Sequence, residues 1–238
     1  MDLSEIIGDA ITYPLHNIKS LIIFMIIGIV GGLLSGMSIV GMLAAVTGQN
    51  AVAAGGFGII GLLIGIIAYL LISGYTLDIV KFGIERREDG PGIDFVRQIV
   101  NAIKLIVVNI VYYIVPAIIV WLLTTLLGNG ILTLIIAFIV AVVFTFMQIM
   151  AICRLAKYDS LGEALAFGEA LGDLSKAGGI LKVLATIIVI FIIAIIIAFI
   201  IGIILNYNAT IGGILLGIFG VYFVFFYNRA IGLLYSEV

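Results

Sequence analysis

Asn109 and Gln148 are the most polar side chains inside the long apolar runs of this chain, and what two amides can do there is hydrogen-bond. Asn109 stands five residues beyond Lys104 and Gln148 six before Arg154, so in an antiparallel hairpin they lie at one depth and can reach each other. An interhelical pair of this kind stabilises by ~0.6–2 kcal/mol, a structural role. Joined by Tyr112 and Tyr113, the same two residues are also a candidate polar site for a lipid headgroup or a small solute. Pro116 follows in the same run; it lacks a backbone donor, frees the carbonyl of Tyr112, and predicts a kink.

Other chemistry finds little material. The apolar runs hold no Lys, Arg, Glu or His, and their one Asp, Asp78, stands at a run's end. That argues against proton-coupled transport, which depends on buried ionisable groups. The single His16 and single Cys153 offer neither a metal-ligand spacing nor a disulfide. Ser35 in "GLLSG" resembles a protease serine motif but has no histidine base in any run. Asp89 and Asp94 are isolated where magnesium would want convergent oxygens, and "EDGPGIDF" reads as a turn, not a phosphate loop. The expectation is no enzyme and no cofactor. "NAT" at 208–210 matches a glycosylation sequon on Asn208, in a loop of about five residues.

The elements that must position these residues are set by hydropathy. The chain has 238 residues, 64% of them hydrophobic and 10% charged, with a mean hydropathy of +1.41. Six uncharged runs, roughly 20–46, 56–78, 105–127, 130–153, 183–205 and 211–228, each approach the ~20 residues of a membrane-spanning helix. Strand alternation is absent, so the reading is an all-α polytopic membrane protein, a single transmembrane domain over 1–238. The N-terminal stretch carries Asp2, Glu5 and Asp9 and lacks the features of a cleaved signal.

Charge placement predicts orientation. The connections 47–56, 128–130 and 206–210 carry no charge, whereas all eleven basic and all thirteen acidic residues fall in the termini, the other connections and the run ends beside them. Basic residues near span ends are retained in the cytoplasm, so both termini are expected inside a multi-pass cell-membrane protein. The face is mixed in sign, net −2, which implies neither nucleic acid nor strong attraction to anionic headgroups.

Short segments near 3–16, 93–104 and 160–176 place apolar residues on one helical face and polar ones on the other. Each is expected to form a cytoplasmic interfacial helix before a transmembrane hairpin, giving three units, 1–90, 91–158 and 159–238, that could be pseudo-repeats. Glycines at four- or three-residue spacing (Gly28, Gly32 and Gly36; Gly58, Gly61 and Gly65; Gly213, Gly217 and Gly220) are expected to let helix backbones approach. Spans three and five, nearly free of glycine, are expected to face lipid.

Several stretches carry a resemblance: "EIIGDAITYP", "GYTLDIVKFGIERREDGPGIDF", "AIKLIVVNIVYYIVPAII" and "EALAFGEAL". The chain resembles the archaeal, methanogen-type membrane family catalogued as domain of unknown function 4013, with Gly74, Tyr75, Asp89, Pro91 and Phe95 at the positions of its exit motif and turn. The resemblance implies a membrane fold and carries no activity and no catalytic residues.

The functional expectation is a non-enzymatic scaffold or subunit of a larger membrane assembly, partnered by bilayer lipids and by copies of itself or another membrane protein. Its docking face would hold Arg86, Arg87, Glu88, Asp89 and Arg97. The alternative is a passive channel or a lipid or small-solute transporter around Asn109, Tyr112 and Gln148.

Overall fold

In a bilayer, backbone polar groups must pair within their own segment, and uncharged runs of this length do so as helices. The computed structural model describes residues 1–48 and 50–238; Gln49, in the expected connection 47–56, lies outside them. Among the described residues there are nine helices: α1 Leu3–His16, α2 Ile18–Thr47, α3 Ala51–Ile84, α4 Phe95–Leu127, α5 Ile131–Tyr158, α6 Leu161–Ala164, α7 Phe167–Lys176, α8 Gly179–Tyr207 and α9 Ala209–Tyr235. The helices α2, α3, α4, α5, α8 and α9 are long and apolar enough to cross a membrane. They form three hairpins, α2–α3, α4–α5 and α8–α9.

The helices overrun the expected spans. Helix α3 starts at Ala51, where the Asn50 side chain accepts from the Ala53 amide, and continues to Ile84; α5 runs to Tyr158 and α9 to Tyr235. A charged residue ends a hydrophobic run without ending a helix. Lys81, Arg154, Lys157 and Arg229 therefore sit inside helical turns.

The three short segments differ from one another. The first is a separate helix, α1, opened by a capping box in which the Asp2 amide donates to Glu5. The second is not separate: residues 95–104 are the opening turns of α4, capped by Asp94, whose carboxylate accepts from the amides of Val96 and Arg97. Its apolar and polar residues lie on separate faces. Gln98 and Asn101 are buried, while Phe95, Val96, Val100 and Ile103 are exposed. The third breaks at Leu165–Ala166 into α6 and α7.

Helices α3, α5 and α9 pack on one another and form the centre; α2, α4 and α8 lie outside them. The central ends are buried all round: every residue from Gly74 to Val80, and from Arg229 to Tyr235, is buried. Two close approaches make this possible. A side chain at Gly74 would fall on the backbone of Gln98, which seats α4 on α3, and Gly83 meets Gly232 so that α3 and α9 touch through their backbones. Phe24, Tyr75 and Phe225 stack between α2, α3 and α9, with Phe24 and Tyr75 ring centroids 4.2 Å apart.

Toward the uncharged loops, the large side chains of α2, α4, α8 and α9 are mostly exposed, and α8 buries only Val183, Thr186, Ile190 and Ile201. The glycine expectation is corrected in register. Gly32, Gly36, Gly213 and Gly220 have nothing within 4 Å of where a side chain would start. The contacting face of the first hairpin is Gly31 against Ala68, and Gly61 and Gly65 against Ser38 and Ser35. Gly28 and Gly217 make ordinary contacts with Val221 and Ile29.

Candidate functional site

Ionisable side chains at the ends of apolar helices can remain charged only when paired, and here they pair across helices. At the end of α3, Asp78 accepts from Arg97 Nε at 3.2 Å, from Arg97 Nη2 at 3.1 Å and from Asn101 Nδ2 at 3.0 Å, both donors on α4. At the end of α5, Arg154 donates to Asp173 of α7 at 2.7 Å and to the Glu163 carboxylate at 2.5 Å. Tyr235 of α9 donates to the same Asp173 oxygen at 2.5 Å, and Lys176 to its other oxygen at 2.9 Å. At the end of α9, Arg229 donates through Nε and Nη2 to Asp9 of α1 at 2.7 and 3.1 Å, and its Nη1 donates to the carbonyls of Phe82 and Arg87. Its guanidinium also covers the Tyr13 ring, 4.5 Å from the centroid.

The three ties share one plan. In each, the second helix of a hairpin holds one charge and a segment near the next hairpin holds the other: α3 with α4, α5 with α7. The third closes on the beginning of the chain, α9 with α1. Polarity is reversed in the first, where the acid sits on the hairpin and the arginine follows.

Electrostatics match the geometry where the groups lie outside the spanning helices. Burial alone would raise the Asp173 carboxyl, but hydrogen bonds from Tyr235, Lys176 and Arg154 outweigh it and hold the group below its ordinary value. The same contact raises Lys176. Burial pushes the Tyr13 phenol up. Glu237 is drawn down to about 2 by the N-terminal amino group, which it meets directly, and by Lys182 at 3.1 Å.

The expected polar site is divided. Gln148 Nε2 donates to Asn109 Oδ1 at 2.8 Å, joining α5 to α4. Tyr112 points elsewhere: the residue is 1% exposed, and its hydroxyl donates to the Ala164 carbonyl at 3.1 Å and so holds α6. Asn109, the acceptor, and Tyr112, the donor, stand three residues apart on α4 and bond to different helices, α5 and α6. Asn109 instead shares a crevice of about 510 Å³ with Tyr69 and Tyr113, walled by Ile106, Ile110 and Ile114. Pro116 lies inside α4, which stays helical from Phe95 to Leu127.

The expected docking charges are largely engaged inside the chain. Arg86 donates to Ser236, Arg87 forms a two-pronged pair with Asp89 at 3.0 and 2.5 Å, and Arg97 is tied to Asp78. The Arg87 hydrogen bond holds the Asp89 carboxyl below its usual range. Glu88 gives its carbonyl to Asn17 and leaves its side chain exposed. Asn208 accepts from the Ile211 amide and caps α9; the side chain of Thr210, third in the sequon, lies outside the described ones. Among the described residues no group of three His, Cys, Asp or Glu is placed to hold a metal ion.

The residues that sequence reasoning passed over are Asp9, Asn101, Arg154, Asp173, Arg229 and Tyr235. Arg229 left one signal, an arginine within "FFYNRAIGLLY" with no acid nearby to pair it.

Residues 57–206 match the family described as Protein of unknown function (DUF4013). The chain belongs to this family. The DUF4013 match takes in most of α3 and all of α4 to α7, with the Asp78–Arg97 and Arg154–Asp173 ties, and nearly all of α8. Helices α1, α2 and α9, and with them the Asp9–Arg229 tie, lie outside it, as does "EIIGDAITYP". No curated protein and no solved structure matches the chain.

Proposed function

We propose that this DUF4013 protein is a non-enzymatic scaffold of the cell membrane, a subunit of a larger membrane assembly whose charged end is its cytoplasmic docking face. The reading is carried by where the strong ionisable groups go. Asp78, Arg97, Arg154, Asp173, Asp9 and Arg229 all bond to neighbouring helices, which is the use a rigid platform makes of charge. Groups left outward, among them Glu88 and Lys157, are available to a partner of either sign. Both termini share this end, since the Met1 amino group meets Glu237. The positive-inside tendency favours the cytoplasm for it.

Extraction in mild detergent followed by mass measurement of the intact particle tests the scaffold reading. A particle heavier than one chain, either a homo-oligomer or a complex with a second membrane protein, is expected. A strictly monomeric, partner-free particle contradicts it.

A second reading, a passive channel or a transporter of lipid or small solute, is favoured by the crevice that brings Asn109, Tyr69 and Tyr113 together beside the Asn109–Gln148 bond. It expects solute or lipid movement in vesicles carrying the purified chain, abolished by Asn109→Leu.

A further inference from the structure

Helix α1 lies outside the three hairpins. It joins α2 through one non-helical residue, Asn17, and it packs on α9, on the edge of α8 and slightly on α2. The packing of α3, α5 and α9 on one another does not pass through it. One side of α1 is buried, with Ile6 and Ala10 fully so and Tyr13 nearly; the other, with Glu5, Gly8, Thr12, Leu15 and His16, is exposed.

Its polar fastenings are few. They are the Asp9–Arg229 pair with the Arg229 guanidinium over the Tyr13 ring, the Tyr13 hydroxyl on the Asp89 carbonyl at 3.5 Å, the Tyr222 hydroxyl on the Ile11 carbonyl, Asn17 Nδ2 on the Glu88 carbonyl at 3.1 Å, and the Met1 amino group on Glu237. A cleft of about 240 Å³, lined by Asp9, Thr12, His16, Glu88 and Arg229, opens beside the pair. The Asp9 side chain is 34% exposed, whereas Arg229 is fully buried. Water can therefore take over Asp9, and Arg229 still keeps the Phe82 and Arg87 carbonyls as acceptors. Releasing α1 takes the Asp9 acceptor from Arg229 Nε and Nη2 but opens these donors to the cleft, where water can replace the carboxylate and relieve the usual cost of breaking a buried pair.

We propose that α1 is a strap, fastened by Asp9 on Arg229, that lifts from the bundle while the six long helices stay packed. Lifting uncovers the guanidinium end of α9 and the apolar floor under Ile6 and Ala10. Local opening of this sort is drawn from the least stable parts of a fold.

Thiol labelling of the full chain in detergent micelles tests it, with a hydrophilic maleimide as the probe. Cys153 is fully buried in the central helices and reports general unfolding; Ala10→Cys reports the strap, and Ile6→Cys reads the same event should the first variant fail to assemble. The strap thiol is expected to react at least about tenfold faster than Cys153, and Asp9→Asn to speed it about tenfold more with Cys153 unchanged, the factor expected for a lost tie of ~1.4 kcal/mol. Equal rates at the two thiols, equal acceleration of both by Asp9→Asn, or no acceleration of the strap thiol would each overturn the proposal.

Discussion

Asp173 is the acid on which three donors converge, and it is 1% exposed. Removing one member of a buried pair leaves the other charge without compensation, so Asp173→Ala is expected to cost about 3–5 kcal/mol. Asp159 pairs with Lys104 at 2.5 Å but is 68% exposed, and Asp159→Ala is expected to cost under about 1 kcal/mol. Unfolding in mixed micelles with rising SDS measures both. The pH dependence has a definite sign. Because the fold lowers the Asp173 value, its contribution is complete above the unfolded carboxylate value of about 3.9 and is lost as pH falls through the lower folded value. Asp173→Asn should abolish that acid-side loss of stability, read as a flatter midpoint below pH ~4.

Packing at the level of helices rests on backbone contact more than on side-chain volume. Gly74→Ala would press a methyl group on the Gln98 backbone and is expected to block assembly of α4 on α3, seen as aggregation in gel filtration. Gly32→Ala and Gly36→Ala meet open space and are expected to change stability by less than about 0.5 kcal/mol. Sequence spacing favoured the four-residue row Gly28, Gly32 and Gly36, because a motif shows that a helix has a small-residue face but not which neighbour turns toward it. Gly31 and Ser38 do the contacting instead. Apolar residues 95–103 of α4 turn outward while Arg97 and Asn101 reach Asp78, and the Gln98 side chain is buried beside them without a hydrogen-bond partner among the described residues. By contrast, the six spans, the charge-free loops and the Asn109–Gln148 bond were legible, since each depends only on counting residues along helices. Arg229 and Asp9 lie at opposite ends of the chain, so only the closed bundle reveals their pairing.

As a whole, the molecule is three hairpins gathered at one end. Charged residues, ties and both termini lie there, while the far ends present apolar helices and short uncharged loops such as Gly128–Asn129–Gly130. The scaffold reading depends on that polarity: a docking face exists only if every charged connection shares one side. Labelling with an impermeant thiol reagent in intact cells, in a Cys153→Ser background, tests it most directly. Glu88→Cys is expected to react only after the membrane is opened, and Asn129→Cys to react from outside. Labelling of both positions from the same side would contradict the six-span arrangement and the docking face built on it.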